Sequence, residues 1–109
     1  MSQFGIKSIS LAAVISVASF SGALMAADGE ALYKSKTCVA CHGKDAKTPI
    51  MPTYPKIAGQ SKEYALQQMK DIKSGARNNG MTAAMKGVMH LVTDEEMAAL
   101  AEYVAGLTP

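Results

Sequence analysis

Residues 38–43 read Cys-Val-Ala-Cys-His-Gly and hold both cysteines of the chain and one of its two histidines. Two thiols and an imidazole this close together admit four chemistries. A structural disulfide needs only the thiols. A thioredoxin-like redox pair uses the same Cys-x-x-Cys spacing but sits in a βαβ setting, and no alternating strand pattern occurs in this sequence. A zinc site asks for four N or S ligands, and only His90 remains to supply the fourth. The fourth chemistry turns on His42, directly after Cys41, because Cys-x-x-Cys-His is the signature of covalent haem attachment. The spacing follows from the reaction. Cys38 and Cys41 project from the same side of one helical turn and can add to the two vinyl groups on one porphyrin edge. His42 then lies under the iron and supplies an axial nitrogen.

The other axial position needs a second donor, and a thioether there favours Fe(II) and raises the reduction potential. Met51, Met69, Met81, Met85, Met89 and Met97 all follow the motif. Met69 and Met97 fall on the apolar faces of predicted helices and read as core. Met51, between Pro49 and Pro52, reads as packing near the haem edge. Met81, Met85 and Met89 recur every four residues, as a buried helical stripe would. Asn79-Gly80 precedes them and Gly87 interrupts them, so the pattern predicts a loop with at most one helical turn. His90 would make a bis-histidine centre of low potential, but it lies close to the next helix start. Residue types alone leave Met81, Met85 and Met89 open.

These residues need elements to hold them. Ile6 to Ala27 is almost continuously apolar and small, with Lys7 its only charge. Ile9 to Phe20 reads as the h-region of a secretory signal and Ala23–Ala27 as its small-residue cleavage site. The expected organisation is a signal peptide over 1–26, cleaved after Ala26 or Ala27, and one domain over 27–109. An uncleaved membrane anchor is the alternative. Asp28 to Thr37 predicts a short helix running into the motif. Residues 43–60, with Pro49, Pro52 and Pro55, predict a loop. Ser61 and Glu63 start a helix whose face is Ala65, Leu66, Met69 and Ile72, and Gly75 stops it. Thr93-Asp94-Glu95-Glu96 is a capping box opening the last helix, with Met97, Leu100, Ala101 and Val104 at helical spacing. The expected fold class is all-α, with three main helices and long loops. Such a short domain has little core of its own, and a bound apolar cofactor would add to it.

Ten of the 11 basic residues and all 9 acidic ones fall within 27–109, so the domain is nearly neutral. That excludes a strong basic field for nucleic acid. Lysines gather between Lys34 and Lys73, and carboxylates at Asp94–Glu96 and Glu102. Solvated helix faces explain this, and so would a dipole that docks a charged partner. No Ser/His/Asp, paired-carboxylate or phosphate-loop pattern suggests a catalytic site.

Four stretches also carry a family resemblance: Asp28-Gly29-Glu30-Ala31-Leu32-Tyr33, the Cys38–Gly43 motif, Tyr54-Pro55-Lys56-Ile57-Ala58-Gly59-Gln60 and Thr93-Asp94-Glu95-Glu96. Together they resemble small bacterial class I cytochromes c, of the cytochrome c-553 type and of either half of the periplasmic dihaem cytochromes. The resemblance implies a class I cytochrome c fold wrapped around one haem c, held by Cys38 and Cys41, with His42 and Met85 as axial iron ligands. Met85 is the position reached by counting back from Thr93. The resemblance further implies that the Pro55 carbonyl receives the His42 ring N–H, and that the first and last helices cross with Gly29 giving close approach beside Tyr33 and Tyr103. Arg77, Gln60 and Tyr64 are candidate partners of the haem propionates. The implied function is a periplasmic one-electron carrier, monomeric and meeting redox proteins transiently. The alternative is an electron-entry subunit of a larger dehydrogenase or reductase. A peroxidase-like haem enzyme would need an open sixth site and distal acid–base residues, which the abundant methionines argue against.

Overall fold

Five helices organise the chain in the computed structural model, which describes Gly5 and residues 27–109. The expected signal peptide over 1–26 lies outside the described residues, Gly5 apart. Helix α1 runs Gly29–Ser35, with the Asp28 carboxylate accepting from the N–H groups of Glu30 and Ala31. A single left-handed residue, Thr37 at φ 67°, turns the chain into α2, Cys38–His42. The Pro-rich loop follows. The Asp45 carboxylate gathers its first turn by accepting from Lys47 N at 3.0 Å and Thr48 N at 2.9 Å. The Ala46 carbonyl closes its base by accepting from Ile57 N at 2.8 Å and Ala58 N at 3.0 Å.

Helix α3 is Lys62–Ser74, capped by the Ser61 hydroxyl on Tyr64 N and ended at Gly75. Helix α5 is Asp94–Ala105, and its capping box is complete: Glu96 N donates to the Thr93 hydroxyl while Thr93 N donates to the Glu96 carboxylate. The helices expected around 28–37, 61–74 and 93–105 are therefore present. Between α3 and α5 the structure departs from the expectation of a loop. Thr82–Met89 form a two-turn helix, α4, with Gly87 inside it. A glycine costs a helix about 1 kcal/mol relative to alanine, and here tertiary contact offsets it. Met85, Val88 and Met89, spaced i, i+3 and i+4, all pack on the core.

The core lies where α5 meets α1 and α3. Tyr33, Ile72, Met89, Val92, Met97, Leu100, Ala101 and Val104 are buried there. Helix α1 approaches α5 so closely that a β-carbon at Gly29 would stand 2.7 Å from Tyr103 Cβ and overlap the Ala99 carbonyl. The close approach brings the Tyr33 and Tyr103 rings to 5.5 Å. Among the described residues there is no strand, and no helix is long and apolar enough to cross a membrane.

Candidate functional site

Helix α2 is short, but its spacing does what the motif requires. Cys38 and Cys41 stand three residues apart in the helix, and both are free thiols. Cys38 is buried and Cys41 half-buried. Loss of solvent, with the neighbouring Cys41 adding to it, pushes the Cys38 thiol up to about 11. A thiol held protonated at neutral pH is not the low-pKa nucleophile of a redox-active Cys-x-x-Cys pair. Among the described residues no cluster of three or more His, Cys, Asp or Glu side chains gathers to hold an ion.

His42 is 6% exposed. Its Nδ1 lies 2.9 Å from the carbonyl oxygen of Pro55. A carbonyl can only accept, so the proton sits on Nδ1 and the ring is fixed in one tautomer and one orientation. Nε2 is left without a hydrogen-bond partner among the described residues and is not sealed by neighbouring atoms. Immediately after His42, Gly43 adopts φ 88°, and a β-carbon there would collide with the Thr48 carbonyl. The Gly43 carbonyl accepts from the Tyr33 hydroxyl at 2.5 Å, which ties the end of the motif to α1. Burial, followed by the charges of Cys38, Tyr103 and Asp45, raises the Tyr33 hydroxyl to about 12, so it remains a donor at neutral pH. Nothing in the sequence singled out this bond, because the two residues are ten apart and tyrosine is common in cores.

The three recurring methionines separate by burial. Met81 is 52% exposed at the start of α4, Met89 is completely buried in the core, and Met85 is half-buried between them. Met85 is helical, not in the expected loop. It packs on the same cluster as Cys38, and so do Val39 from α2, Ile57 from the Pro-rich loop, and Leu66 and Met69 from α3. Four separate elements thus bring half-buried apolar side chains onto the core cluster to which the motif cysteine belongs. Met97 is buried as expected, whereas Met51 is 42% exposed. His90 is exposed at the C-terminal cap of α4. Arg77, Gln60 and Tyr64 are exposed, and the Arg77 guanidinium bonds Gln68 at 3.1 Å.

A covalent, planar, apolar group with one open axial position suits this donor set. Two free thiols at i and i+3, a fixed imidazole with a bare Nε2, and partly covered apolar side chains on the cluster that includes Cys38 are features that suit haem c.

Comparison with known proteins extends over the same residues. The family described as cytochrome c matches residues 26–108. Cytochrome c4 from Pseudomonas aeruginosa is 42% identical over 80 residues, covering 73% of this chain and 37% of that protein. Cytochrome c-553 from Nitratidesulfovibrio vulgaris is 38% identical over 85 residues, covering 78% of this chain and 81% of its own length. The crystal structure of reduced recombinant cytochrome c4 from Pseudomonas stutzeri resembles the fold with a TM-score of 0.67 at 29% identity, over 77% of this chain and 48% of that one. The chain therefore spans less than half of the cytochrome c4 proteins and most of the cytochrome c-553.

Proposed function

The chain belongs to the cytochrome c family, and from that premise we propose that residues 27–109 are a monohaem c-type cytochrome passing single electrons between periplasmic or membrane-bound redox partners. In this reading residues 1–26 are the signal peptide that exports it. Members of the family are electron carriers and not enzymes, and they bind haem c covalently. Cys38 and Cys41 would hold the haem by thioether bonds, and His42 Nε2 and the Met85 sulfur would take the two axial positions. Haem c, when bound, supplies a one-electron Fe(III)/Fe(II) couple.

The protein's own groups do the rest. The Pro55 carbonyl holds the His42 ring in place and, by accepting its N–H, makes Nε2 a stronger donor. Val39, Ile57, Leu66 and Met69, half-buried on the core cluster that includes Cys38, would be covered by the haem and would help keep water from it. Met85 offers a soft sulfur and moves the balance toward Fe(II).

The observation that carries the proposal is His42: buried, locked through Nδ1 on Pro55, with Nε2 free beside two free thiols. A reduced-minus-oxidised visible spectrum of the exported protein tests it. The expected result is the sharp paired bands of c-type haem on reduction, with a weak far-red band from Met ligation in the oxidised form. A featureless spectrum would overturn the proposal. Isolation of the protein in a stable complex with a dehydrogenase or reductase would favour the electron-entry subunit over the free carrier.

A further inference from the structure

The turn joining α4 to α5 is Leu91–Val92, and its two carbonyls are occupied from outside. The Lys36 ammonium, at the end of α1, donates to Leu91 O at 2.8 Å, and the Lys73 ammonium, on α3, donates to Val92 O at 2.5 Å. The turn's own amides are used locally, Leu91 N on Val88 O at 3.0 Å and Val92 N on Met89 O at 3.1 Å. Lys36 also pairs with Glu96 at 3.6 Å, the carboxylate that closes the capping box on Thr93. Two cations from two different elements thus clamp one dipeptide. Among the described residues the start of α4 has no comparable tether from another element: Met81 gives no side-chain cap, and the Thr82 hydroxyl and backbone N–H both donate to the Asn79 carbonyl, three residues back.

Surface lysines usually contribute little, but these are not free in solvent. The Lys36 and Glu96 side chains are 27% and 20% exposed, and the Lys73 bond is partly buried. Carbonyls at a helix C-terminus are also where a cation is most favourable. Lys70, one turn earlier on α3, is exposed, and its side chain makes no hydrogen bond among the described residues.

We propose that Lys36 and Lys73 are positioning residues that fix the C-terminal end of α4 through the Leu91 and Val92 carbonyls and thereby hold Met85 on the iron. The proposal rests on the reading of Met85 as the axial ligand. Three residues separate Met85 from Met89, and about one turn of helix transmits any shift of the Leu91–Val92 turn to it. A shift of α4 that would carry Met85 away from the iron also breaks the Lys73 bond to Val92.

The test uses the exported, haem-loaded protein and imidazole as the competing ligand of the ferric iron. Lys73→Met keeps the aliphatic stem and removes the donor. It should tighten imidazole binding about tenfold, the factor implied by losing one hydrogen bond from a charged donor. Amide exchange at Leu91 and Val92 should quicken while that of Leu100 in α5 stays unchanged. Lys36→Met should act in the same direction, Lys73→Arg should restore wild-type binding, and Lys70→Met should have no effect. Wild-type imidazole affinity in both Lys36→Met and Lys73→Met would overturn the proposal. If Lys73→Met folds poorly, Lys36→Met and Lys73→Arg decide alone. Met85→Ala separates the two claims: if it keeps the Met–iron band, the ligand reading falls and the clamp with it. If it loses the band while the lysine variants bind as wild type, only the clamp falls.

Discussion

Met85→Ala should remove the Met–iron band, lower the reduction potential because a ligand favouring Fe(II) is lost, and let cyanide or carbon monoxide bind readily. Its two neighbours in sequence should behave differently from it and from each other. Met89 is completely buried, so Met89→Ala should cost about 2–5 kcal/mol through the cavity it leaves. Met81 is half exposed, and Met81→Ala should stay within about 0.5 kcal/mol of wild type. Denaturant melts with the band monitored in parallel separate all three. Spacing could not have ranked these methionines, because a period of four fixes a helical face but not the rotation of that face toward the core. Tyr33 supplies a pH dependence. Its hydroxyl is raised from the model-peptide value of 10.0 to about 12, so the fold favours the neutral form. The stabilisation is complete below pH 10 and should be lost as the pH rises from there toward 12. Tyr33→Phe should abolish that alkaline slope; an unchanged slope in urea melts across this range would show that the buried Tyr33 hydroxyl is not its source.

Helix α4 is the element the sequence hides. Its neighbours α3 and α5 announce themselves through Ser61, Gly75 and the Thr93–Glu96 box, whose local hydrogen bonds are written in residue types. At α4 the N-cap is Met81, which caps nothing, and Gly87 sits where a helix former would be expected. The helix exists because Met85, Val88 and Met89 find the core, and tertiary support of that kind is not visible in local sequence. A β-carbon at Gly87 would meet nothing within 4 Å, so Gly87→Ala should stabilise the protein by about 0.5–1 kcal/mol. A destabilised thermal melt for that variant would mean residue 87 is not helical in solution. The cap of α5 carries its own pH dependence. The Thr93 backbone N–H, and then the Lys36 charge, hold the Glu96 carboxyl below its ordinary range. Its contribution is present above the ordinary carboxylate range and fades as the pH falls through and below it. Glu96→Gln should flatten that acid limb in thermal melts.

At the scale of the molecule, the residue types themselves carried the Cys-x-x-Cys-His motif, while the Pro55 carbonyl for the imidazole and the close approach at Gly29 beside Tyr103 were expected only through the resemblance to class I cytochromes c. The sequence did not carry the Tyr33–Gly43 brace, the Ala46 loop closure or the paired lysines on the α4–α5 turn. Those are long-range bonds between common residues, and only the folded chain brings them together. The buried core is small, gathered around α5 with residues from α1, α2, α3 and α4, and many of the apolar side chains packed on it are only half covered. Haem should therefore complete the fold. Cys38→Ala with Cys41→Ala is expected to give a protease-sensitive chain without a cooperative melt, and a sharp melt with full helical circular dichroism would contradict this.

The central claim is covalent attachment of one haem at Cys38 and Cys41, and an intact mass of the exported protein under denaturing conditions tests it most directly. The account predicts the mass of residues 27–109 plus a single haem, retained after denaturation. A chain lighter by two hydrogens than the reduced polypeptide, with no haem attached, would mean the cysteines are bonded to each other and would contradict it.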